Sequence, residues 1–156
     1  MNAHIQPNFP LGSTRHLLGT LVTLRANGAD TEGAFSLVEI AVAPGQGTPP
    51  HSHDDAEAFL ILEGEVSFVL GGVSSTRKQG EFVYIPSRQP HAFRNTTDSV
   101  SRILGINLPG GPHVGFFAEA GEPVADSKTF PPLSPPDVPR LVEIAARHGI
   151  SILPPG

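Results

Sequence analysis

The stretch that decides the fold runs Gly45-Gln46-Gly47-Thr48-Pro49-Pro50-His51-Ser52-His53-Asp54-Asp55-Ala56-Glu57, continues through Ala58-Phe59-Leu60-Ile61-Leu62-Glu63 and stops at Gly64. His51 and His53 are two residues apart, so on an extended chain both side chains project from the same side. Asp54-Asp55 can turn the chain, and Glu57 then opens an apolar run of strand character. If that strand pairs laterally beside the first, Glu57 comes to about 5 Å from the imidazoles, within reach of an ion held by both. A third imidazole, His91, starts a later strand after Pro86-Ser87-Arg88-Gln89-Pro90. Three neutral imidazoles and one carboxylate suit one divalent transition metal: Fe, Mn, Ni, Cu, Co or Zn.

Short strand-like runs with turn residues between them lie on both sides of this segment. Thr20–Ala26 alternates and closes at Asn27-Gly28-Ala29-Asp30, and Phe35–Val42 ends at Pro44-Gly45. Glu57–Leu62 and Val66–Leu70 are joined by Glu63-Gly64-Glu65, a tight hairpin connection. Phe82–Ile85, His91–Asn95 and Val100–Leu108 follow, each stopped by proline, glycine or polar residues. Seven or more such strands predict an all-β sandwich, jelly roll or barrel, with a core over about residues 17–108. The first 18 residues read as an irregular arm. Residues 109–156 read as a loop-rich C-terminal arm in which 138–148 form the one convincing helix. Asp137 caps that helix, Leu141, Ile144, Ala145 and His148 share a face, and Gly149 stops it. Ile150–Leu153 reads as an edge strand.

Composition excludes several classes of function. The 156 residues fit one domain, with 38% apolar residues, only 16% charged, and 17 each of glycine and proline. A net charge of −5 with no basic stripe argues against nucleic acid. The chain has no cysteine, which removes disulfides, thiolate chemistry and Fe–S clusters and leaves imidazole and carboxylate as metal ligands. No apolar run approaches the roughly 18 residues of a membrane span, and the first residues lack the pattern of a signal peptide. A cytoplasmic protein is the expectation.

Two spaced motifs carry a family resemblance. Gly45, His51, His53, Glu57 and Gly64 match the first cupin motif, G-x5-H-x-H-x3-E-x6-G, at every position. Gly80, Pro86, His91 and Asn95 match the second, G-x5-P-x-G-x2-H-x3-N, with Arg88 in place of its middle glycine. The chain thus resembles the small single-domain cupins, and its C-terminal arm is similar to those labelled quercetin-2,3-dioxygenase-like. The resemblance implies an antiparallel jelly-roll β-barrel with a metal in its mouth, bound through His51, His53, Glu57 and His91. It also implies a homodimer.

A metal with those four ligands keeps positions open for a small oxygenated organic substrate. The resemblance favours a dioxygenase. A non-redox isomerase, lyase or decarboxylase, or a binding module without turnover, are the alternatives. Glu57 is either a static ligand or a catalytic residue that also takes a substrate hydroxyl proton. Alternation places Phe59 and Phe93 on the inner face as candidates for an apolar substrate pocket, or as plain barrel core. Phe116-Phe117 either lid the mouth or anchor the C-terminal arm. Arg88 either meets an anionic substrate or is solvated, and Asn95 is expected to bond backbone. His4, His16, His113 and His148 have no partner at ligand spacing and read as surface or packing residues.

Overall fold

Alternating burial along short segments sets the architecture, and the computed structural model describes it for residues 8–154. His4 lies outside the described residues. The strands are β1 (Thr14–Leu17), β2 (Thr20–Ala26), β3 (Ser36–Val42), β4 (His51–His53), β5 (Ala56–Glu63), β6 (Glu65–Leu70), β7 (Val73–Lys78), β8 (Phe82–Ile85), β9 (His91–Arg94) and β10 (Ser101–Leu108). Helix α1 (Pro112–Ala120), β11 (Glu122–Val124), α2 (Val138–Arg147) and β12 (Ile150–Ile152) complete the chain. Every named pairing is antiparallel. One sheet has the order β11-β1-β2-β3-β10-β5-β8 and the other β12-β4-β9-β6-β7. The result is the expected all-β barrel with a C-terminal helix.

Inward positions of both sheets make one core. Val22, Leu24, Val38, Ile40, Phe59, Ile61, Ile85 and Ile103 of the larger sheet meet Val66, Phe68 and Phe93 of the smaller one. On β10 the inward series Ser101, Ile103, Gly105, Asn107 is fully buried while the residues between are half-exposed, the period-2 signature of a strand with one face to the core. Gly105 is glycine because a Cβ there would approach Phe59 Cε1 to 3.2 Å and Val38 Cγ2 to 3.3 Å. The missing side chain makes room for the Phe59 ring.

The structure departs from the sequence reading in several places. The N-terminal arm is irregular only in part, since β1 pairs with both β2 and β11. The polar run Val73–Lys78 forms β7, an edge strand on β6. Residues 138–148 are not the one helix. α1 precedes them, opened by Pro112 at its first turn, where proline's fixed φ suits a helix and its missing N–H costs nothing. α1 shows no clear polar face because it is covered on two sides. Ala118 packs on the barrel core, and Phe116 packs on a second cluster formed by Leu141, Ile144, Ala145 and Ile150. Two further corrections, of Glu57 and of His113, belong to the site.

α2 keeps its expected caps. Arg140 N–H donates to Asp137 Oδ1 at 3.1 Å, and Gly149 takes the left-handed conformation at φ 76°. Its buried face is Leu141, Ile144 and Ala145, and His148 caps the end rather than extending it. The arm returns to the barrel through β12, which pairs with β4 so that Ile152 stands opposite His51 and Ile150 opposite His53. Among the described residues no helix is long and apolar enough to cross a membrane.

Candidate metal centre

β4 and β5 do not pair with each other. Asp54-Asp55 forms a corner that carries the chain from the smaller sheet to the larger one, so Glu57 reaches the histidines from across the barrel and not from a lateral neighbour. β4 pairs instead with β9, with His51 opposite His91. On β5, Glu57 stands opposite Asn107 of β10 and Ile85 of β8. The four side chains meet at one end of the barrel. One donor atom from each of His51, His53, Glu57 and His91 lies within 4.8 Å of the others. His53, Glu57 and His91 are buried and His51 is half-buried.

Backbone carbonyls fix the tautomer of all three imidazoles. His51 Nδ1 lies 2.9 Å from Pro49 O, His53 Nδ1 2.8 Å from Asp55 O, and His91 Nδ1 2.7 Å from Gln89 O. A carbonyl oxygen only accepts, so each Nδ1 donates and each Nε2 faces the centre. Glu57 Oε2 sits 2.9 Å from His53 Nε2 and 3.4 Å from His91 Nε2. These three atoms are nonetheless buried without a hydrogen bond of acceptable geometry. Buried polar atoms are seldom left so. Three orphaned donor atoms of the kinds a divalent ion takes, converging on one point, fit a metal.

Electrostatics make the same demand. Burial would raise the Glu57 carboxyl, but the close imidazoles of His53 and His91 hold it well below the usual carboxylate range. Burial would likewise lower His53, yet the Asp55 and Glu57 carboxylates outweigh it and raise the imidazole to about 10. His51 is pushed down to about 4 by burial and by the neighbouring His91. The two carboxylates therefore call for positive charge, and without a metal His53 supplies it as a proton.

A layer behind these four side chains was not legible in the sequence. Asp55 Oδ1 lies 3.1 Å from His53 Nδ1, and Oδ2 lies 2.7 Å from His113 Nδ1 on α1. Asn107 Nδ2 donates to the same Oδ2 at 3.1 Å. Burial opposes ionisation of Asp55, and His113 and His53 overcome it, so its carboxyl is held far below the usual range. His113 is thus buried at the site, contrary to its reading as an ordinary surface or packing residue. Only the tertiary fold brings α1 to Asp55, and no spacing signal announces it. His148, read in the same way, is a partner of Glu119 across α1 and α2 at 2.6 Å.

A cavity opens beside the centre and is lined by two of its four side chains. Its lining includes His51, Glu57, Phe93, His113, Phe116 and Phe117, with Leu141, Ile150 and Ile152 from the arm. Phe93 faces it. Phe59 does not, because it lies deeper in the core with its ring centroid 5.6 Å from Phe68 and 5.7 Å from Phe93. Phe116 and Phe117 both wall the cavity and anchor the arm. Asn95 bonds backbone as expected, donating to Val42 O at 2.9 Å and Ser99 O at 2.7 Å. Arg88 keeps the turn in which the motif has glycine by adopting φ 67°. Its exposed guanidinium turns to Asp54 at 3.0 Å.

Fold and site together define a double-sheet β-barrel with a His3Glu centre at one end. Comparison with known proteins agrees: the family described as "Cupin domain" matches residues 38–107. The chain belongs to the cupin superfamily. It is 29% identical over 143 residues to quercetin 2,3-dioxygenase of Bacillus subtilis (strain 168), covering 89% of this chain and 42% of that protein. It is 32% identical over 80 residues to the H2HPP isomerase of Bacillus subtilis, covering 51% of this chain and 31% of that one. The chain therefore spans less than half the length of either relative. A predicted oxalate decarboxylase from Thermotoga maritima superposes with a TM-score of 0.59 at 18% identity, covering 66% of this chain and 97% of that one, and supports the fold alone.

Proposed function

We propose that this cupin is a metal-dependent enzyme of the dioxygenase type, acting on a small oxygenated organic molecule. His51, His53, Glu57 and His91 hold one divalent transition metal. The observation that carries the reading is the set of buried, unpartnered donor atoms, His53 Nε2, Glu57 Oε2 and His91 Nε2, beside an apolar cavity. Bound there, the ion supplies Lewis acidity toward an anionic oxygen and, when redox-active, electron transfer with dioxygen. The chain's own part is to hold the donors in one tautomer, to keep the Glu57 carboxyl ionised at the centre, and to exclude water with Phe93, Phe116 and Phe117. The similarity to a quercetin 2,3-dioxygenase supports this choice because it runs over 89% of the chain, well beyond the two motifs.

A non-redox isomerase or lyase at the same centre is the second reading, supported by the shorter similarity to the H2HPP isomerase. Elemental analysis of the native protein, followed by oxygen-electrode assays on a flavonol and other enediols, separates the two. Iron, copper, nickel, cobalt or manganese with stoichiometric oxygen uptake is the expected result. Bound zinc with turnover but no oxygen uptake favours the second reading, and absence of metal overturns both.

A further inference from the structure

Beyond the four ligands, the cavity has one more polar feature with chemistry to offer. His113 projects from α1 into the lining and is only 5% exposed. Its Nδ1 stands 2.7 Å from Asp55 Oδ2. Two lone pairs at that distance would repel, so Nδ1 carries the ring proton and faces the Asp55 carboxylate in a close polar contact, its N–H not aligned for a regular hydrogen bond. Asn107 Nδ2 at 3.1 Å from the same oxygen holds Asp55 in place. The His113 ring is also packed edge-on to His53, with centroids 4.4 Å apart, and lies 6.0 Å from Phe117. Its orientation is fixed from three sides. Nε2 is left 4.0 Å from Glu57 Oε2, too far for a hydrogen bond.

His53, Asp55 and His113 also lie close enough together to suggest a second cation site. The hydrogen bonding argues otherwise. His53 Nδ1 already donates to Asp55 O at 2.8 Å, and His113 Nδ1 carries a proton toward Asp55. Neither nitrogen has a lone pair to give inside that triangle, so the free lone pair is His113 Nε2. The two threonines of the lining are engaged within the barrel, Thr20 Oγ1 donating to Leu17 O at 2.5 Å and Thr48 Oγ1 accepting from Phe93 N–H at 3.1 Å.

We infer that His113, oriented by Asp55, is a substrate-positioning residue whose Nε2 accepts a hydrogen bond from a hydroxyl of the ligand seated beside the His51–His53–Glu57–His91 centre. The ligand class it selects is an otherwise apolar molecule with a hydroxyl one hydrogen bond from its metal-facing oxygen, since the remaining walls are mainly aliphatic and aromatic. The inference rests on the metal-centre reading above for the ligand's place in the cavity, and its test is built to separate the two.

The probes are 4-nitrocatechol and its monomethyl ether, titrated into wild-type protein, His113→Phe and His113→Asn, each with zinc loaded and with metal removed. Zinc content per chain is measured in parallel. We expect both variants to keep wild-type zinc content. We expect them to bind 4-nitrocatechol about fivefold more weakly while their affinity for the methyl ether stays within about twofold. His113→Asn places an amide N–H where Nδ1 stood and can still donate to Asp55, so it reads the lost acceptor even if His113→Phe fails to fold around an unpaired carboxylate. Equal weakening toward both probes, no weakening, or loss of zinc from the variants overturns the inference. If wild type takes up no zinc, the metal-centre reading fails, and the metal-free titrations still decide the role of His113.

Discussion

His51 and His91 stand opposite each other across β4 and β9, with ring centroids 4.2 Å apart. Two imidazoles with their Nδ1 protons pinned to Pro49 and Gln89 have nothing to offer each other. Their closeness makes sense around a shared cation. Replacing His91 with alanine removes one donor from the centre, and the loss of a ligand costs more than the 10–100-fold typical of the layer behind it. The expected metal content of His91→Ala after dialysis at neutral pH is below about 0.1 ion per chain, with the barrel's circular dichroism retained. The metal-free variant should lose only about 1–2 kcal/mol of stability, an ordinary cost for one buried side chain. Full metal content in His91→Ala would sink the ligand assignment.

Metal affinity should depend on pH with a definite sign. In the metal-free protein His53 is raised from 6.5 to about 10, so it is protonated through the neutral range and must lose that proton to bind an ion through Nε2. His51, lowered to about 4, is already neutral there. One proton per ion is therefore released between pH 6.5 and 10, and the association constant climbs roughly tenfold per pH unit in that window. Metal-free stability runs the other way. A raised folded-state pKa contributes stability that is complete below 6.5 and is lost as pH rises toward 10. Calorimetry in buffers of different ionisation enthalpy counts the released proton. A pH-independent affinity between 7 and 9 contradicts the scheme.

The sequence exposed the barrel and the ligand set for different reasons. β5 and β10 are apolar runs bounded by turn residues, which marks them as strands although polarity does not alternate along either. β7 is polar on both faces because it is an edge strand held only by β6, and no hydrophobic pattern identifies such a strand. The His51–His53 spacing is local and survives in the sequence. The Asp54-Asp55 corner sends the next strand to the other sheet, a choice no periodicity records. The association of Asp55 with His113 depends wholly on how α1 docks, and α1 itself is obscured because it buries residues on two sides.

Arg88 occupies a left-handed position where the family motif has glycine, at φ 67°. For a residue with a Cβ that conformation costs about 1–2 kcal/mol. Its backbone N–H bond to His53 O at 2.8 Å is independent of side chain. The Asp54 contact is highly exposed on both sides and contributes about 0–1 kcal/mol. Arg88→Gly relieves the strain but leaves a more flexible unfolded chain, which takes back about 0.4–1 kcal/mol. The expected net effect is a modest gain of up to about 1 kcal/mol, or about 2–4 °C in Tm, with metal content unchanged. A clear drop in Tm would mean that the guanidinium does more than meet Asp54.

The arm closes the cavity through one small cluster. Ile144 is 2% exposed among Phe116, Leu141, Ala145 and Ile150, and β12 beyond it is paired to β4, which carries His51 and His53. Ile144→Ala should cost about 2–4 kcal/mol, because it leaves a cavity in the small cluster where α1 and α2 meet Leu17 and Leu18. That cost falls on the docking of the arm and not on the main core, which shares no residue with the cluster's buried set. Local opening should therefore precede global unfolding. Hydrogen exchange is expected to quicken at 141–152 and at His51–His53, while Phe59, Ile61 and Ile103 keep their protection. Bound metal should remain stoichiometric but dissociate faster, since β4 loses its outer neighbour whenever β12 lifts. Exchange that rises evenly over the whole chain would show instead that barrel and arm form one cooperative unit.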